Sequence, residues 1–150
     1  DVLSALESRR KPIVLTERLE HLTILEKMFI GMCKNLIVIK GGMGKKQMKK
    51  LKERLNSLAD DEERLILASG KYIGEGFDYP ILDTIFLTLP ISWKGTLQQY
   101  VGRIMRTHDN KDSLEVYDYI DVNNPYLVKM LNKRKSAYKS LGFDIELIKS

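Results

Sequence analysis

An α/β fold, a three-layer sandwich with a mostly parallel central sheet and helices on both faces, is what this sequence predicts. Three observations carry that reading. Short apolar or β-branched runs recur at Pro12–Thr16, Leu36–Ile39, Leu65–Ala68, Thr84–Leu89 and Leu114–Ile120. Helix-spaced segments lie between most of them, and strands alternating with helices favour a parallel sheet. At 150 residues, 43% hydrophobic and 30% charged, the chain suits one globular domain with a sizeable core.

In order, Val2–Arg10 reads as a short lead-in helix. Pro12–Thr16 reads as a buried strand with proline at its start, where a missing N–H costs least. Thr16-Glu17-Arg18 opens a helix whose core spacing is Leu19, Leu22, Leu25 or Glu26, Phe29 and Met32, with Gly31 near its end. Leu36–Ile39 is a second buried strand. A glycine turn then leads into a helix, Lys45–Leu58, with Met48, Leu51, Leu55 and Leu58 at core spacing. Asp60–Glu63 reads as a solvated loop. After the strands at 65–68 and 84–89 comes a helix containing Gln99, Gly102, Arg103 and Arg106, and then the last strand. Asn124 and Pro125 suit an N-cap and a first helical residue. The final helix runs to Leu141, where Gly142 closes it, with Tyr126, Met130 and Tyr138 as packing groups.

Composition narrows the function classes. The net charge of +5 is mild and compatible with a phosphate-rich partner. Lys40–Arg54 holds seven basic residues and one acid, and Pro125–Ser150 six and two. Each is either a solvated helix face or a polyanion contact. One cysteine, Cys33, allows no internal disulfide, which favours a reducing compartment, cytoplasmic or nucleoid-associated. Without a local activating partner it reads as a buried structural thiol. No apolar run approaches the roughly 20 residues that span a membrane, and no secretory leader is visible. A chain starting at Asp1 rather than Met is expected to be part of something longer.

Several decoys fail on spacing. Lys40-Gly41-Gly42-Met43-Gly44-Lys45-Lys46 lacks both the earlier glycine, Ile39 standing there, and the Ser or Thr that a phosphate loop needs, Lys46 standing there. The dinucleotide fingerprint fails because Gln47 replaces its third glycine. Asp60–Glu63 precedes a strand rather than following one, which argues against a metal box. His108 lies in a polar loop and reads as exposed.

The informative stretch is Ala68–Arg106. Gly70, Gly74 and Gly76 let a backbone approach a phosphate closely. Arg103 and Arg106 lie a turn apart on one helix face, and guanidinium forks match phosphate oxygens. Ligands of parallel sheets sit at the carboxyl ends of strands. Thr16, Ser69, Gly74, Gly76 and the Gln99–Arg106 helix all follow strand ends and can converge on one edge.

These segments resemble motifs V and VI of superfamily 2 helicases and translocases. Ala68-Ser69 with Gly74-Glu75-Gly76-Phe77-Asp78-Tyr79-Pro80 resembles motif V. Gln99, Gly102, Arg103 and Arg106 match Q-x-x-G-R-x-x-R of motif VI at every defined position. The resemblance covers nearly the whole chain and implies a RecA-like (P-loop NTPase-type) C-terminal helicase domain over 1–150, with 125–150 as a C-terminal helix or extension. It implies ATP and Mg²⁺ as cofactors, held mainly by an N-terminal RecA-like domain of the same parent chain, so this chain alone is expected to be inactive. By motif position Arg106 is the arginine finger, Arg103 a second γ-phosphate contact and Gln99 a polar contact in the cleft. Gly102 allows close packing at the helix start, Gly76 lines the nucleotide side and Asp78 accepts from the ribose. Thr16, Ser69, Gly74 and Lys45 fall on the nucleic-acid side. Ser69 and Thr16 also suit ordinary turn hydrogen bonding. Glu75 stands where many relatives carry arginine, which leans toward repair- and restriction-type translocases and toward DNA rather than RNA. The alternative is a non-translocating RecA-like module that binds nucleotide or nucleic acid; a Rossmann-like small-molecule enzyme is a third class, disfavoured by the failed fingerprint.

Overall fold

The computed structural model describes residues 1–69, 78–88, 98–99, 101–102 and 113–149. Five described strands form one parallel sheet: β1 (Pro12–Thr16), β2 (Leu36–Ile39), β3 (Leu65–Ser69), β4 (Thr84–Leu87) and β5 (Glu115–Asp118). Their order is β2-β3-β1-β4-β5, so the first strand is central. The helices are α1 (Val2–Glu7), α2 (Leu19–Phe29), α3 (Lys45–Ser57) and α4 (Pro125–Ser140), and Gln98, Gln99, Val101 and Gly102 are also helical.

The side-chain period of two in a strand builds the three layers. Ile13 and Leu15 of β1, Ile66 and Ala68 of β3, and Ile85 and Leu87 of β4 enter one core with Leu55 of α3, Val101, and Ala137 and Tyr138 of α4. Val14, Leu65, Leu67 and Phe86 point the other way and pack with Ala5 and Leu6 of α1 and with Leu22, Leu25 and Phe29 of α2. Each fully buried aliphatic side chain contributes roughly 1.5–3 kcal/mol against exposure, so both layers are held chiefly by these contacts.

The structure corrects several boundaries. α1 stops at Glu7, short of Arg10, and Arg9 turns the chain at φ 60°. The buried stripe of α2 is Leu22, Leu25 and Phe29; Leu19 at the entry and Met32 beyond Gly31 are exposed. β3 extends one residue further, to Ser69, which pairs with Thr16. Met130 and Tyr138 are buried as expected, but Tyr126 is exposed beside the helix cap. That cap is Asn124, whose side-chain oxygen accepts from the N–H groups of Tyr126 (3.0 Å) and Leu127 (3.4 Å). At the other end Gly142 adopts φ +88°, where a side chain would be strained.

Charged groups stitch the amino edge of the sheet. Arg64, 1% exposed, donates to the carbonyls of Ala59 and Glu62 and to the Tyr79 hydroxyl, which in turn donates to the Leu55 carbonyl at 3.1 Å. The backbone N–H of Lys11 donates to Asp83 at 2.9 Å. Burial lowers the Lys11 pKa, with the neighbouring Arg64 guanidinium adding to the effect. Arg10 donates to Thr84 Oγ1 at 2.6 Å and pairs with Glu115 at 3.4 Å. A second clamp joins α4 to β5. Arg134, 1% exposed, grips Asp118 through Nε (2.7 Å) and Nη2 (2.9 Å), and the Tyr138 hydroxyl donates to the same carboxylate at 2.8 Å. Burial, then the Asp118 charge, pushes the Tyr138 pKa up.

Candidate functional site at the carboxyl edge

At the opposite edge, reading across the sheet, β2 leads into the 40–44 turn and α3. Next come Ser69 at the end of β3, Thr16 at the end of β1, and Thr88 just after β4. Thr16 and Ser69 are register partners, so the sheet itself brings these two predicted residues together. Lys45, the first residue of α3, is exposed; Gly42 precedes it at φ +82°, and the side-chain oxygen of Gln47 accepts from the Gly44 N–H at 3.3 Å. Lys46, Lys49, Lys50, Lys52 and Arg54 are exposed too, while Met48, Leu51 and Leu58 pack against the core. The basic face and the apolar face of α3 therefore separate as the spacing predicts.

Thr16 is 1% exposed, and its hydroxyl is engaged inside the protein. Its Oγ1 lies 2.9 Å from Nδ1 of His21 and accepts from the Arg18 N–H at 3.4 Å, which orders the entry into α2. Thr88 donates its hydroxyl proton to the Leu15 carbonyl at 2.9 Å and lies 3.5 Å from the same His21 nitrogen. His21 and Thr88 were absent from the candidates read from sequence. His21 follows the first strand at the start of a polar helical turn, and only the pairing of β1 with β4 puts it beside Thr88. Ser69, by contrast, has no side-chain hydrogen bond among the described residues.

Of the motif V and VI residues, Asp78 is exposed and directly precedes the buried Tyr79 that Arg64 holds. Gln99 is helical and exposed, two residues from Val101, whose side chain is fully buried in the core shared by α3 and α4. Gly102 is exposed and a Cβ there meets no atom within 4 Å, so packing inside this chain does not require glycine. Gly74, Gly76, Arg103 and Arg106 lie outside the described residues, as does His108.

Asp60, Asp61 and Glu62 are exposed, and Glu63 accepts from the Lys34 N–H at 2.8 Å. No group of three or more His, Cys, Asp or Glu among the described residues can hold a metal ion. No described helix is long and apolar enough to cross a membrane. Cys33 is half-buried, its Sγ 3.9 Å from the Phe29 carbonyl; burial, then Glu63, raises its pKa, the reverse of what a reactive thiolate needs.

Comparison with known proteins agrees with this geometry. Residues 1–110 match the family described as "Helicase conserved C-terminal domain". The chain is 34% identical over 86 residues to "Uncharacterized protein 108L" of Invertebrate iridescent virus 3, covering 57% of this chain and 78% of that protein. It is 32% identical over 87 residues to "Putative helicase 161L" of Invertebrate iridescent virus 6, covering 58% of this chain and only 19% of that one. Among solved structures it resembles the C-terminal part of the Fun30 ATPase domain, with TM-score 0.72 and 13% identity over 85% of this chain and 40% of that one. T4 UvsW gives 0.69 at 17% identity over 92% and 30%, and the Type ISP restriction-modification enzyme LlaBIII bound to DNA gives 0.66 at 22% identity over 87% and 10%. At these identities the likeness is one of fold, and it is the RecA-like fold.

Proposed function

This chain belongs to the helicase conserved C-terminal domain family, and on that premise we propose that it is the C-terminal motor domain of an ATP-dependent nucleic-acid helicase or translocase. The observation that carries the reading is the family match over residues 1–110, which takes in Ser69, the Gly74–Asp78 segment and all of Gln99–Arg106. The chain spans 19% of the curated helicase it matches, so the remainder of the motor would come from other sequence.

In this reading ATP and Mg²⁺ sit between this domain and an N-terminal RecA-like domain, which supplies the phosphate loop and the metal-binding acids. Arg106 would meet the charge that develops on the transferring phosphoryl group, a contribution of about 10³–10⁵ in rate for such a finger. Arg103 and Gln99 would hold the same phosphoryl group in place, and Asp78 would accept from the ribose. Gly76 and Gly102 would leave room for groups across the cleft, in keeping with the open space at Gly102. Ser69, Gly74, the Thr16 turn and Lys45 would meet the nucleic-acid backbone, where hydroxyls, N–H groups and lysines position without reading sequence. DNA is the preferred polymer, in keeping with Glu75 in motif V.

The test is steady-state ATPase of the parent polypeptide, with and without single- and double-stranded nucleic acid, for wild type and Arg106→Ala. Stimulation by one polymer that falls at least about 10³-fold on substitution is the expected result. Absent turnover, or turnover indifferent to Arg106, would replace the motor by a non-translocating binding module.

A further inference from the structure

We infer that His21 is the nucleic-acid contact that follows β1, a neutral Nε2–H donor to a backbone phosphate, and that Thr16 acts behind it by fixing its tautomer. This deepens the nucleic-acid side of the proposed function and rests on that reading.

The argument is a count of protons. Thr88 gives its hydroxyl proton to the Leu15 carbonyl, so it has none for His21. The Thr16 hydroxyl is buried and already accepts from the Arg18 N–H. Its own proton needs an acceptor, and Nδ1 of His21, at 2.9 Å, is the one within reach among the described residues. Were Nδ1 protonated, the Thr16 proton would be stranded in the interior, at the cost of an unsatisfied buried donor. Nδ1 therefore accepts, and the ring proton sits on Nε2.

Nε2 has no partner among the described residues. No buried side-chain nitrogen or oxygen among them lacks a partner, so this half-buried ring presents Nε2 to solvent. The same holds for the Ser69 hydroxyl on the neighbouring strand. Two open donors thus flank the spent hydroxyl of Thr16 at the strand ends where parallel sheets bind ligands. With Lys45 and Lys46 at the start of α3 following β2 at the same edge, two short donors suit the oxygens of a phosphate chain.

Two measurements on the purified chain test this. In a long-range ¹H–¹⁵N spectrum of a His108→Gln background, which leaves one of the two histidines, the His21 ring shows a protonated Nε2 and a bare Nδ1. Thr16→Val releases that preference. A protonated Nδ1 in the wild type overturns the inference.

In fluorescence anisotropy with labelled oligo-dT and oligo-dA, His21→Ala weakens both equally, roughly tenfold for one hydrogen bond to a charged acceptor. His21→Gln, which keeps an acceptor and a donor, restores part of the loss. A penalty that differs between the two polymers means a base contact and overturns the phosphate assignment. If His21→Ala unfolds, His21→Phe keeps the volume without a donor and replaces it. Should joint replacement of Lys45, Lys46 and Lys49 by Gln weaken binding while His21→Ala and His21→Phe do not, the inference fails and the nucleic-acid reading stands. Should the wild type bind neither polymer at low salt, both fall.

Discussion

The amino edge of the sheet and the carboxyl ends of two of its inner strands, β1 and β3, are built on opposite rules. At the amino edge Arg10, Lys11, Arg64 and Asp83 spend their hydrogen-bonding capacity on one another and on carbonyls, and the guanidinium of Arg64 is sealed from water. At the carboxyl ends of β1 and β3 the polar groups are small, and two of them, Ser69 and His21, keep a donor open, while the Arg134–Asp118 pair closes the end of β5. Charge can be buried where it is fully partnered; a ligand edge keeps donors that the fold does not consume. The difference teaches that polar residues at strand ends are assigned by whether their partners lie inside the chain, which residue type alone does not reveal.

Substitutions can break that contrast. The largest effect is expected at the amino edge. Arg64→Met removes the guanidinium donor from the Ala59 and Glu62 carbonyls and from the Tyr79 hydroxyl, at a cost of about 3 kcal/mol or more, read by urea denaturation. Nucleic-acid affinity of the folded fraction should not change.

An intermediate effect belongs to the α4–β5 clamp. Tyr138→Phe loses one hydrogen bond to Asp118, about 1 kcal/mol at neutral pH. It also alters the alkaline limb. Because the folded-state pKa of Tyr138 is raised above its ordinary value of 10.0, the folded chain keeps a proton that the unfolded chain releases. That contribution is complete below pH 10 and is lost as pH rises above it. Denaturation between pH 9 and 11 should therefore show a shallower decline for Tyr138→Phe than for wild type; an equal slope would remove Tyr138 as a source.

The smallest stability effect is expected at the carboxyl edge. Ser69→Ala removes a hydroxyl with no partner among the described residues and should shift stability by no more than about 0.5 kcal/mol. It should also weaken oligonucleotide binding by roughly threefold or more, the value of a single hydrogen bond. A Ser69→Ala cost as large as that of Arg64→Met would erase the distinction between the edges.

Much of this was legible in the sequence, for reasons that differ by residue. Pro12–Thr16 and Leu36–Ile39 have the bounds the sequence predicts because a short, largely apolar run flanked by polar residues admits few alternatives. Asn124, Pro125 and Gly142 end α4 where their backbone preferences say they should. Thr16 and Ser69 were visible as strand-end residues, but whether a hydroxyl faces water depends on pairing across β1, β3 and β4. That is why His21 stayed hidden. Arg64 and Arg134 were hidden for another reason. One adjoins an acidic loop and the other lies among lysines, both patterns of a solvated face, and only the partners Tyr79 and Asp118, distant in sequence, make burial tolerable.

The central place of the first strand has a consequence in time. β1 pairs with β3 and β4, and its nearest sheet partner in sequence begins at Leu65. A ribosome adding roughly 5–20 residues per second needs some seconds to make the stretch from Glu17 to Arg64. Through that interval an apolar strand has been synthesised with no neighbour to close its hydrogen-bonding edges, and α1 and α2 reach only one of its faces. β2 and β3, joined through α3, are nearer in sequence and close a shorter loop. The middle of this sheet is therefore made first and completed late.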